Sequence, residues 1–193
     1  YDNGILDGPY IRYHKNGAIF IKLLFVNRTI MGDIYVYYPD NTLREHIKVY
    51  ASFIIHRKSY YNNGRLNFVQ NFDLADFDVS NYDHGKGTII NKKLNKEVYL
   101  EREEFNNDAN SRFEENFVLY KLNNGIWKKY HEETGHLQMK YVFKLPCENM
   151  NCILSYEHFD KNGQLLSIKN ITNKYDIPQI DISIKQRISH FYL

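Results

Sequence analysis

The sequence predicts an all-β fold built from tandem β-hairpins of about 23 residues each. Three observations predict it. The chain of 193 residues holds 17 Tyr, 12 Phe and one Trp against 4 Pro, and Tyr and Phe suit a pleated, half-buried surface. A phrase of the form aromatic-x-x-Asn-Gly-x-aliphatic recurs: YHKNGAI (Tyr13 to Ile19), YYNNGRL (Tyr60 to Leu66) and FDKNGQL (Phe159 to Leu165). The phrase also returns at a steady interval. Turn positions fall at Gly17, Asn41, Gly64, Gly85, near Ala109, at Gly135 and at Gly163, with gaps of 24, 23, 21, 24, 26 and 28. A period in the twenties marks units that bury their faces only against neighbours.

Each unit begins with a glycine five residues before the aromatic, as at Gly8, Gly32 and Gly125. A strand ending in Tyr, a tight turn and an aliphatic strand follow. Asn and Gly both tolerate positive φ, so a primed two-residue turn is expected between those strands. YDNGIL (Tyr1 to Leu6) is a shortened copy of the phrase, and YYPDNTL (Tyr37 to Leu43) has Asp-Asn in place of Asn-Gly. AIFIKLLFV (Ala18 to Val26) is apolar at adjacent positions and is expected to be buried on both faces. IKVYASFII (Ile47 to Ile55) alternates, placing Ile47, Val49, Ala51, Phe53 and Ile55 on one face. YDHGKG (Tyr82 to Gly87) and FNNDANS (Phe105 to Ser111) are degenerate copies that carry the period through the middle of the chain. EVYLEREEF (Glu97 to Phe105) has helical propensity, yet it occupies a strand position, and pairing overrides propensity. YHEETGHL (Tyr130 to Leu137) is the phrase with one residue inserted. Residues 1–172 therefore form the repeat array. Residues 173–193 break the pattern at Ile177-Pro178 and then alternate, so they are expected to cap its open end.

The phrases GPYIRYHKNGAI, GDIYVYYPDNTL and GIWKKYHEETGHL resemble the MORN-repeat variant found in tandem in bacterial proteins, among them YwqK-like antitoxins. The resemblance spans roughly residues 1–170 and is poor over 81–116. It implies an elongated, single-layer, twisted sheet of consecutive hairpins. The family carries no established catalytic residue, so none is transferred.

One stretch spells other chemistry. HEETGH (His131 to His136) is one residue off the H-E-x-x-H of zinc proteases. That motif needs its histidines four apart on one helical turn; here they are five apart around Gly135, which reads as a turn. His131 and Glu133 with Pro146-Cys147 and Cys152 also echo a zinc deaminase. Only twelve residues separate the halves, too few for the helix and strand that such a site requires. The repeat accounts for Tyr130, Gly135 and Leu137, so the reading is no catalytic residue, no metal and no cofactor. Cys147 and Cys152 flank a polar hairpin loop. They are a disulfide candidate in an oxidising compartment and thiols in a reducing one. The remaining histidines scatter near turns and are read as solvated.

A net charge of +2 gives no footprint for nucleic acid, and no apolar run approaches the roughly 20 residues of a membrane-spanning helix. The leading expectation is a non-catalytic module that binds a protein partner through one sheet face, with a toxin as the partner the resemblance suggests. The alternatives are a membrane- or cell-surface scaffold and, more remotely, the zinc deaminase. The chain begins inside a patterned segment, so both a cytoplasmic and an exported location stay open. Trp127 is read first as packing within its repeat; the alternative makes it a partner contact, with Lys129 on the same strand face; Gly17, Gly64, Gly135 and Gly163 are the expected structural turns.

Overall fold

The structure is a computed structural model and describes residues 5–72, 74–75, 77–83, 88–92, 96–99, 101–105, 117–121, 125–143 and 153–170. Every regular element among them is a strand. In chain order these are β1 (Gly8–Tyr13), β2 (Ile19–Val26), β3 (Thr29–Tyr37), β4 (Leu43–Tyr50), β5 (Phe53–Tyr60), β6 (Leu66–Asn71), β7 (Phe77–Asp83), β8 (Thr88–Asn91), β9 (Lys96–Tyr99), β10 (Glu101–Phe105), β11 (Phe117–Lys121), β12 (Gly125–Tyr130), β13 (Leu137–Phe143), β14 (Ile153–Phe159) and β15 (Leu165–Asn170). No helix long and apolar enough to cross a membrane occurs among the described residues.

Ten strands form one open antiparallel sheet of consecutive hairpins, in the order β1-β2-β3-β4-β5-β6-β12-β13-β14-β15. β12 pairs directly with β6, with Ile126 opposite Asn71 and Lys129 opposite Phe68. The intervening strands leave the ladder. β7, β8 and β9 make a separate three-stranded sheet, and β10 pairs with β11. β11 pairs with the array in parallel at Tyr120 and Phe53 of β5. The period read through residues 81–116 is thus corrected: these strands are an insertion between two adjacent array strands. The turn positions expected at Gly85 and Ala109 lie outside the described residues, as do Cys147, Cys152 and 171–193.

Two kinds of turn alternate along the array. At one edge the phrase turns are three-residue loops, except the fourth, where the inserted residue makes Glu132 to Gly135 a four-residue loop closed by the His131 N–H donating to the His136 carbonyl (2.9 Å). The Gly17 N–H donates to the His14 carbonyl (3.0 Å) and the His14 N–H donates to the Ala18 carbonyl (2.7 Å). Gly17 (φ 84°), Gly64 (78°), Gly135 (75°) and Gly163 (82°) are left-handed, with Asn41 (68°) in the same place. The expected primed turn is corrected here, because the Asn before the glycine keeps negative φ. Its side chain acts instead: Asn16 Oδ1 accepts from the Ala18 N–H (3.1 Å) and Asn63 Oδ1 from the Arg65 N–H (3.0 Å). Such loops join a type I turn to a left-handed residue.

The primed turns lie at the opposite edge, where no glycine marks them. Asn27 and Arg28 (φ 48° and 66°) link β2 to β3, and Ala51 and Ser52 (49° and 65°) link β4 to β5. These conformations are uncommon for non-glycine residues and are held from outside. The Ser52 N–H donates to the Ile30 carbonyl (2.9 Å), and the Ile30 N–H donates to Ser52 Oγ (3.2 Å). The alternation read through Ile47 to Ile55 is therefore broken by a turn, with Ile54 buried and Ile55 partly exposed.

One sheet face is the core. A register row crosses it through Ile34, Ile47, Arg57, Gln70, Trp127, Tyr141 and Tyr156. Arg57, the row's cation, is held by Glu45, with Nε to Oε2 at 2.8 Å. β2 contributes Ile21, Leu23 and Phe25 to the core and leaves Leu24 and Val26 exposed, so it is buried on one face and not on both. Leu119 of β11 and Phe72 join the same cluster.

A Cβ added at Gly17 or Gly64 would meet nothing within 4 Å, so a substitution there is opposed only by backbone strain. Gly17→Val and Gly64→Val should each cost more than about 1 kcal/mol, while Gly17→Asn should cost much less. Ala51→Gly should be neutral or stabilising, because it relieves a left-handed alanine. Urea midpoints of the four variants check this.

Candidate functional site

The phrase turns stack along one edge of the sheet, and a repeated contact aligns them. The residue after each strand-ending aromatic reaches the backbone carbonyl of the aromatic that ends the corresponding strand one unit on. His14 Nε2 bonds the Tyr37 carbonyl at 2.9 Å. Tyr38 Oη donates to the Tyr60 carbonyl at 3.0 Å. Tyr61 Oη donates to the Tyr130 carbonyl at 2.9 Å. His131 Nε2 faces the Phe159 carbonyl at 3.4 Å. The third step bridges 69 residues of sequence with the geometry that the first two use over 23 and 22.

Each step has a second link nearer the turn tip. Asn16 Nδ2 donates to the Pro39 carbonyl (2.7 Å). The Thr42 N–H and hydroxyl foremost, and the Asn62 side chain least, hold the Asp40 carboxyl below its ordinary pKa. The Arg65 guanidinium donates to the carbonyls of Glu132 and Glu133. His136 Nδ1 bonds the Lys161 carbonyl (3.1 Å). A net hydrogen bond contributes on the order of 0.5–1.5 kcal/mol, so the edge holds the units in register as a set.

His131 and His136 thus belong to the turn edge. Residues 131–136 form the loop from β12 to β13, where a zinc-protease motif would need a helix. Among the described residues no group of three or more His, Cys, Asp or Glu side chains is placed to hold a metal ion. Cys147 and Cys152, needed for the deaminase reading, lie outside the described residues. The reading of the scattered histidines as solvated is corrected for His14, which is half-buried and bonds a main-chain carbonyl; His131 and His136 bond main-chain carbonyls as well.

An open groove of about 590 Å³ lies along the third, fourth and fifth turns, lined by Tyr61, Lys129, His131, His158, Asp160 and Lys161 among others. Of the carboxylates and imidazoles that line it, those of Asp160 and His131 are engaged, while Glu132, Glu133 and His158 line it as well. Asp160 Oδ1 accepts from the Asn162 N–H (2.8 Å) and the Gln164 N–H (2.9 Å), and His131 serves the edge ladder. The groove therefore offers ionic and hydrogen-bonding surface, without a nucleophile held against a base.

The face expected to meet a partner is placed differently from the sequence reading. Trp127 is 8% exposed and stands edge-on to Phe68 and Phe72, with ring centroids 6.0 Å away in each case. It packs in the core, and Lys129 lies on the same face beside Phe68 and Met139 in the register. The opposite face carries a row through Tyr35, His46, Lys58, Val69, Lys128, Lys140 and Glu157. Tyr35 stacks flat on His46 (4.8 Å, 3°), His46 bonds Asp33 (2.6 Å), and Lys140 pairs with Glu157 (2.7 Å). The edge donors were also missed by sequence reasoning. Their signal was present: the aromatics that open the first four turns of the array are followed by His or Tyr at 14, 38, 61 and 131.

Residues 6–27 match the family model described as the MORN repeat variant. The match covers the first hairpin, β1 to β2. Repeats of this kind are generally non-catalytic modules. A comparison with curated proteins finds no match.

Backbone N–H groups, that of Gln164 foremost, hold the exposed Asp160 carboxyl below its ordinary 3.8. A depressed carboxylate adds stability above its unfolded pKa, and that stability is lost as pH falls through the folded value. The stability gap between the native chain and Asp160→Asn should therefore be constant near neutrality and shrink below about pH 3.8. Urea titrations across that range read it, and a gap independent of pH would contradict the turn chemistry.

Proposed function

We propose that this chain is a non-catalytic protein-binding repeat module and that it meets its partner through the sheet face bearing Tyr35, Lys58 and Lys128. One observation carries the reading: the other face is closed by its own core, while this one presents a broad surface of aromatic, basic and aliphatic side chains. Leu24, Val26, Tyr50 and Ile126 are exposed at 41%, 42%, 53% and 39%, and by strand parity they lie on the face of Lys22, Lys48 and Lys128.

The dimensions suit a protein. Ten strands at ~4.8 Å spacing span roughly 43 Å, and five residues of strand span about 17 Å. The face thus offers on the order of 700 Å², close to the roughly 800 Å² that each partner contributes to a standard interface. A small molecule needs concavity, which a sheet face lacks. The finer reading, a toxin protein as the partner, rests on the resemblance of the turn phrases to antitoxins.

A photo-crosslinking residue at Tyr35 should form a discrete protein adduct in cells expressing the chain, and Lys58→Glu/Lys128→Glu should weaken binding of the captured protein about tenfold or more. Trp127→Ala should instead destabilise the fold by about 3–5 kcal/mol, as a core truncation does. A folded charge-reversal variant that binds normally, with no adduct at Tyr35, would remove this face as the site.

A further inference from the structure

The sheet face bearing Tyr35, Lys58 and Lys128 does not balance its own charge. Among the described residues of the ten strands it carries Lys22, Lys48, Lys58, Lys128 and Lys140, against Asp33 and Glu157. Both acids are taken within the face, Asp33 by His46 (2.6 Å) and Glu157 by Lys140 (2.7 Å). Lys22 lies over the Tyr37 ring, 5.8 Å from its centroid. Lys48, Lys58 and Lys128 have no ion pair or hydrogen bond among the described residues.

This arrangement does not serve the isolated fold. Lys128 stands directly opposite Lys140 in the register, and like charges facing each other across two strands destabilise a sheet. Elsewhere in the sheet the cations are answered: Arg57 and Arg44 both lie against Glu45, at 2.8 Å and 3.5 Å. Nor is the excess a matter of composition. The chain has 25 Lys and Arg against 23 Asp and Glu, so acids are plentiful and are placed off this face.

Lys58, Val69 and Lys128 are consecutive in one register row. At ~4.8 Å per strand the two lysine positions stand about 10 Å apart. Val69 between them is 8% exposed, and lysine stems lie along apolar surface while their ammonium groups stay in water. Ile126, 39% exposed, lies two residues along the strand from Lys128. We propose that the partner meets this face with an acidic protein surface, its carboxylates reaching Lys58 and Lys128 and an apolar side chain resting on Ile126. The proposal rests on the protein-binding reading above and names the chemistry of the partner. A nucleic acid or an anionic bilayer spreads negative charge evenly. On this face the unpaired lysines are confined to β4, β5 and β12, with Tyr35, Val69 and Ile126 among them, which suits a localised acidic patch.

Neutral lysine replacements test this. Lys58→Met/Lys128→Met removes the charges and keeps the stems, so at low salt its thermal midpoint should be no lower than that of the native chain. The protein captured by crosslinking at Tyr35 should bind the native chain about tenfold or more weakly in about 500 mM than in about 50 mM NaCl. The double variant should bind it about tenfold more weakly in low salt and lose most of that salt dependence. Polyglutamate should compete with the captured protein, and polylysine should not. Binding indifferent both to salt and to the methionine substitutions would overturn the acidic partner while leaving the face as the site; absence of any adduct at Tyr35 would overturn both. A DNA duplex or phosphatidylserine vesicles that bind the native chain as tightly as the captured protein does, and fail to bind the double variant, would make an evenly charged polyanion the occupant and overturn the proposal. Should the double variant melt lower, the salt dependence and the polyglutamate competition of the native chain decide.

Discussion

A side-chain donor reaching the backbone carbonyl that ends the next unit's strand is the contact on which the order of this array depends. Strand pairing alone fixes which residues face each other along two strands. It does not stop successive hairpins from sliding by two residues, a shift that preserves every inside and outside assignment. The bonds from His14, Tyr38 and Tyr61 remove that freedom, because each donor has one carbonyl within reach. The turn conformation serves the same end. A left-handed residue after a type I turn sets the loop at the same place in each unit, so the aromatic before it always presents its carbonyl at the edge.

This arrangement explains how the array tolerates a large interruption. β6 is followed in space by β12, and the strands between them fold into a separate small sheet and a separate hairpin. The insertion leaves from the edge opposite the phrase turns, after Asn71, and returns at Gly125 beside it in the register. The ladder never meets it. The insertion does contribute to the core, since Leu119 is fully buried in the cluster that holds Trp127 and Phe72. One sheet face is closed in this way, while the other, on which Val69 is nonetheless buried, leaves Leu24, Val26, Tyr50 and Ile126 exposed, and that asymmetry underlies the proposed mode of binding.

The fold class was legible because its strongest determinant is local. Gly17, Gly64, Gly135 and Gly163 mark positions that demand positive φ, and their recurrence announces hairpins. The insertion was not legible, because YDHGKG and FNNDANS happen to keep the period, and because β7 to β10 are strands whose partners lie outside the ten-strand order. The turns at Asn27-Arg28 and Ala51-Ser52 were missed for the opposite reason. Their left-handed backbone is accompanied by contacts from Leu6 and Ile30, and apart from Asn27 nothing in their own residues signals it. Parity correctly put Trp127 and Lys129 together, but parity cannot say which of two faces is covered. That is decided by residues far away in sequence, such as Leu119.

The central claim is that the third turn positions the fourth across a sequence separation of 69 as the second positions the third across one of 22. Removing the phenolic oxygen at each step is the most direct measurement. Tyr38→Phe and Tyr61→Phe should each lower stability by about 1 kcal/mol, and native-state hydrogen exchange should quicken at Tyr60 to Gly64 in the first variant and at Lys129 to Gly135 in the second. If Tyr61→Phe matches the native chain in both stability and exchange while Tyr38→Phe does not, the seam between β6 and β12 is held by something other than this bond. If neither variant differs from the native chain, the turn-edge contact does not order the array.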